Sequence, residues 1–106
     1  MMKAKDPHIL YEDADITKAA RCLKAMSHPL RLKILCLLGN RAVSVQDIVE
    51  QVGTSQSNIS QHLSVLKEKD ILDCKKEANR VYYFICDERM LKLIAMMRDV
   101  FCSAQH

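Results

Sequence analysis

Ser55, Gln56, Ser57, Asn58, Ser60, Gln61, His62 and Ser64 crowd into one short stretch of this chain. Such side chains donate and accept hydrogen bonds without fixed charge, which suits base edges in a DNA major groove and phosphate oxygens alike. A helix face turned only to water normally carries Glu and Lys instead. Further along, Lys75, Lys76 and Arg80 gather the cations that a phosphate backbone attracts. Groupings for catalysis are missing. His62 has no acid or nucleophile at a suggestive spacing. Two glycines leave no phosphate-cradling loop, and no Cys-x-x-Cys pair marks a thiol oxidoreductase. The residues point to binding rather than to enzymatic turnover.

The polar face needs a helix to hold it, and residues 44–68 supply two. Val45, Ile48, Val49 and Val52 repeat at helical spacing, with Ser44 as N-cap and Asp47 three residues on. Gly53 stands where a left-handed C-cap wants no side chain. Thr54 or Ser55 then caps a helix whose inward face is Ile59, Leu63 and Leu66. This is the pattern of a helix-turn-helix with the polar face on its recognition helix. Ile71–Lys76 and Val81–Cys86 read as two strands joined by Glu77–Arg80, placing Lys75, Lys76 and Arg80 at the tip of a hairpin wing. Upstream, a helix is expected from about Asp13 or Asp15 to Met26, and a very apolar one over Leu30–Leu38, with Ser27 able to cap it and Pro29 in its first turn. Asp87 would cap a last helix ending near Cys102. The apolar residues of that helix cover more than one face, enough to pack on its own domain and on a partner. A second copy is the simplest partner, joined through the first and last helices in a two-fold dimer. The expected fold is mainly α with a small β-hairpin wing: four helices, two strands and a fifth helix.

At 106 residues the chain makes one domain, here assigned to 13–106 after a flexible tail over 1–12. A net charge of +3 is only mildly basic, so its placement matters more than its total. No apolar run reaches the ~20 residues that span a membrane, and the start lacks the pattern of a signal peptide. A cytoplasmic location is expected, with the five cysteines as thiols.

The order of elements resembles the ArsR/SmtB class of small dimeric winged-helix regulators. The matching segments are Leu23-Lys24-Ala25-Met26-Ser27-His28-Pro29-Leu30-Arg31-Leu32, Ser55-Gln56-Ser57 with Ser60-Gln61-His62-Leu63, and Val81-Tyr82-Tyr83. The resemblance covers about residues 15–102. It implies binding to double-stranded operator DNA as a homodimer, usually as a repressor that an inducer releases.

The inducer is narrowed by what the resemblance implies for particular residues. Metal sensors of the class carry Cys-x-Cys before the turn, where this chain has Asp47-Ile48-Val49-Glu50-Gln51. Others use Asp and His on the last helix; here Asp87 and Asp99 have only His106 nearby. No cofactor or metal is therefore expected, although a metal- or metalloid-responsive repressor stays open as the alternative. Cys36 within Ile34-Leu35-Cys36-Leu37-Leu38 and Cys102 within Phe101-Cys102-Ser103 resemble the persulfide- and redox-sensing branch of the class. By that likeness the two form a redox switch, with an organic persulfide or polysulfide as inducer. Cys36 amid aliphatics also reads as an ordinary small core residue. Cys22, Cys74 and Cys86 have no assigned part. A module that dimerises without binding DNA is the remaining reading from another class.

Overall fold

Residues 12–102 are described by the computed structural model. They form α1 (Asp13–Met26), α2 (Pro29–Leu38), β1 (Val43–Ser44), α3 (Val45–Val52), α4 (Gln56–Glu68), β2 (Leu72–Glu77), β3 (Arg80–Ile85) and α5 (Glu88–Cys102). The tail expected over 1–12 lies outside the described residues except for Glu12, whose carbonyl accepts the amides of Asp15 and Ile16. No described helix is long and apolar enough to cross a membrane.

α2 lies at the centre. Its Ile34, Leu35 and Leu38 are fully buried against Ile48 of α3 and Ile59, Leu63 and Leu66 of α4. Burying a side chain of this size is worth roughly 1.5–3 kcal/mol, so this apolar knot fixes how α3 and α4 cross. The caps set where each helix starts. Ser44 Oγ accepts the Asp47 amide at 3.2 Å, and Ser55 Oγ accepts the Asn58 amide at 3.1 Å. Of the two candidates for the second cap, Ser55 is used, while Thr54 Oγ1 accepts from the Asn58 side chain. Gly53 takes a left-handed φ of 85° between α3 and α4, as a tight turn there requires.

One cap corrects the sequence reading. His28, not Ser27, starts α2: its Nδ1 accepts the Leu30 amide at 3.1 Å, and its backbone is extended. Ser27 lies one residue too early and instead donates to the Lys24 carbonyl, closing α1.

The wing also differs from the two-stranded expectation. A third strand, β1, pairs with β3 through Val43↔Tyr83 and Ser44↔Tyr82, giving the antiparallel order β1-β3-β2. Two residues carry too little alternation to show in sequence. β2 and β3 pair from Leu72↔Ile85 to Glu77↔Arg80 around the turn residues Ala78 and Asn79. α5 begins at Asp87, whose carboxylate accepts the Arg89 amide at 2.8 Å. Hydrogen bonds from the Arg89 side chain and backbone hold that carboxyl down at about 2. α5 then packs Ile94, with Met90, Leu91 and Met97, on the core.

Candidate nucleic-acid interface

The interface follows from the helical period of α4. Ile59, Leu63 and Leu66 turn inward, which sends Gln56, Ser57, Ser60, Gln61 and Ser64 to solvent. Ser55 is exposed too, its hydroxyl engaged as the cap, and Asn58 is half-buried beside Thr54. The N-terminal half of α4 thus carries neutral polar groups on a rigid helix seated on the core, as major-groove reading requires.

His62 departs from the expected outward position. It is 9% exposed. Its Nδ1 accepts from Arg31 Nε at 3.1 Å, and its ring lies 4.5 Å from that of His28. The helical period carries position 62 toward the junction of α2 and α4, so His62 positions the recognition helix instead of lining its outer face. Desolvation, then the charges at His28 and Arg31, push its pKa below the usual imidazole value. Arg31 also donates to the Ala25 carbonyl at 3.0 Å, joining the end of α1, the start of α2 and the middle of α4. Neither Arg31 nor His28 was singled out as a functional residue. A lone cation within an otherwise apolar helix was the available signal.

Lys75, Lys76 and Arg80 are exposed on the wing, as expected. Lys75 lies 3.8 Å from Glu77, an exposed pair of little energetic weight. Arg80 leans back to donate to Ser44 Oγ at 3.5 Å, tying the hairpin to the start of α3.

The cysteines occupy distinct settings. Cys36 is half-buried in a cleft of about 470 Å³ between α2 and α5, lined also by Glu88, Leu91, Lys92, Ala95 and Arg98. Burial pushes its thiol up; the Arg98 charge opposes this, and the nearby Cys102 adds to it. Cys102 is exposed at the last turn of α5. Cys74 faces Tyr83 across the hairpin, and the Cys86 amide donates to the Ile71 carbonyl, so the two are not cross-strand partners. Cys22 is half-buried on α1, with its thiol raised by burial. Among the described residues, no group of three His, Cys, Asp or Glu side chains converges as metal ligands do. His106 lies outside them.

Comparison with known proteins agrees with this architecture. Residues 28–73 match the family described as bacterial regulatory protein, arsR family. The chain is 39% identical to the HTH-type transcriptional regulator YgaV of Escherichia coli K12, over 84% of this chain and 91% of that one. It is 30% identical to the biofilm growth-associated repressor of Xylella fastidiosa Temecula1, over 93% of this chain and 89% of the other. The solved structure of HlyU from Vibrio cholerae N16961 superposes with a TM-score of 0.82 at 32% identity, covering 86% of this chain and 99% of that one.

Proposed function

We propose, from the premise that this chain belongs to the arsR family of bacterial regulatory proteins, that it is a repressor whose grip on its operator is set by a Cys36–Cys102 switch. The chain is a winged helix-turn-helix, DNA-binding transcriptional regulator and not an enzyme. The finer reading concerns which groups bind, in what assembly, and what releases them. Gln56, Ser57, Ser60 and Gln61 read bases, with Ser55 and Asn58 at the helix start, while Lys75, Lys76 and Arg80 hold phosphates. Two copies pair through α1 and α5. The support is apolar surface on α5, where Phe101 is 78% exposed and Met96 61%, and on α1 at Ile16 and Leu23. Repression is supported by likeness to the Xylella repressor.

One observation carries the switch: Cys36 opens into the cleft beneath α5, and Cys102, which ends that same helix, lies close enough to act on the Cys36 charge. Exposed Cys102 reacts first, because burial keeps Cys36 protonated. With an organic trisulfide as oxidant, the Cys102 thiolate attacks the central sulfur and expels one thiolate. The Cys36 thiolate then attacks the same sulfur and expels the second. The product joins both cysteines through one added sulfur, and the trisulfide is reduced to two thiols. A direct disulfide needs Cα atoms within ~7 Å, so an added sulfur relaxes that demand. Clamping α5 to α2 shifts the dimer interface and with it the spacing of the two recognition helices.

The test is a gel-shift titration with DNA upstream of the protein's own locus, with and without an organic trisulfide. Release of DNA together with a Cys36–Cys102 cross-link carrying one extra sulfur, seen by mass spectrometry, is the expected result. Cys36→Ser and Cys102→Ser variants should bind and stay bound. Normal release by either variant would remove this pair from the switch.

A further inference from the structure

We propose that a trough along one flank of α4 takes DNA backbone beyond the recognition face and the wing, with Arg21, Lys24, Arg31 and Lys69 as phosphate ligands. The proposal rests on the DNA-binding reading and adds contacts to it. Two open clefts form the trough, because both are lined by Arg31 and Val65. The first, about 520 Å³, carries Ser57, Ser60, Gln61 and Ser64 from α4, with His62 behind them. The second, about 510 Å³, carries Arg21 and Lys24 of α1, Ser27, His28 and Lys69.

No Asp or Glu lines either cleft. The chain has 13 acidic and 16 basic residues, so an evenly mixed surface would set a carboxylate beside most cations. Here four cations and a line of serine hydroxyls share one trough without any. Arg31 supplies a second, independent observation. Its guanidinium is half-buried, and both recorded partners, His62 Nδ1 and the Ala25 carbonyl, are neutral acceptors. These bonds fix the plane of the fork and leave three of its five N–H groups for another acceptor. A partly buried cation held by neutral groups is suited to an anion that arrives from outside. The depressed pKa of His62 keeps that ring a neutral acceptor for Arg31.

Length selects the occupant. The trough follows α4, whose 13 residues span about 20 Å, and begins at the face that reads bases. A single small anion would fill only one end, whereas a DNA strand presents a charge every ~3.4 Å of axis.

The experiment is a salt titration of binding to the upstream duplex, comparing intact wild-type protein with an Arg21→Ala/Lys24→Ala/Lys69→Ala variant. These side chains are exposed and make no recorded side-chain hydrogen bond, so the fold should survive, as circular dichroism would verify. The variant should bind all duplexes more weakly while keeping its preference for the operator. Its slope of log affinity against log salt should shrink by about two to three, near 0.9 per phosphate lost. Lys75→Ala/Lys76→Ala should add to this loss. An unchanged slope, or a loss explained by dissociation of the protein dimer in sedimentation, would overturn the proposal. Absence of DNA binding by the wild type would overturn the operator reading beneath it as well.

Discussion

At the scale of residues, His62 is where the fold and its pH response meet. Its pKa lies below the unfolded value because burial, His28 and Arg31 all disfavour the charged ring. The stabilisation is therefore complete above the unfolded imidazole value of about 6.5 and is lost as pH falls through the lower folded value. Urea unfolding between pH 7 and 5 should show stability dropping with acidity. His62→Gln retains an oxygen to accept from Arg31 but cannot titrate, so its drop should be clearly smaller; equal pH profiles would show that other groups cause it. A further residue-scale expectation concerns the thiols. Exposed Cys102 should be alkylated before Cys36 at pH 7, and the Cys36 rate should climb as pH rises toward its elevated pKa. Mass spectrometry of timed samples would read both, and faster labelling of Cys36 would reverse the proposed order of attack.

The elements are held by their ends as much as by their faces. α4 closes with Asp70 at a left-handed φ of 60°, while the Asp70 amide donates to the Lys67 carbonyl and the Ile71 amide to that of Leu66. This is the paired closure in which glycine is usual at the left-handed position. A side chain there costs roughly 1–2 kcal/mol, partly offset by the entropy that glycine loses on folding. Asp70→Gly should therefore raise stability by about 0.5–1 kcal/mol, measured by denaturant titration, with operator affinity unchanged. At the other end of the domain, His28→Ala removes the acceptor for the Leu30 amide and should cost about 1 kcal/mol. A loss near zero would mean that Pro29 alone suffices to start α2.

For the whole molecule the decisive surface is the apolar one that the single chain leaves open. Phe101, Val100, Met96 and Leu93 on α5, and Ile16 and Leu23 on α1, remain exposed while Ile94 and Met26 from the same helices are buried. A Met96→Glu/Phe101→Glu variant should keep the fold, because neither side chain packs in the core, yet sediment as a monomer. Its operator affinity should collapse, since two half-sites about 34 Å apart must be engaged together. A variant that still dimerises would move the interface off this face of α5.

Much of this was legible in the sequence because it depends on local rules. Apolar period, Ser44 and Ser55 as caps, Gly53 at its turn and the alternation of β3 each act over a few residues, and they sufficed for the five helices, the hairpin register and the outward polar face of α4. What escaped depends on contacts between distant segments. β1 exists only because β3 passes beside residues 43 and 44, and its two residues have no pattern of their own. His62 is polar by type, and only the approach of Arg31, 31 positions away, turns it into a buried acceptor. The trough flanking α4 draws its cations from α1, α2 and the end of α4, which no local window brings together. Sequence period determines which face of a helix is apolar. The tertiary packing decides which polar groups meet across the junctions, because their energies depend on burial and distance and not on spacing along the chain.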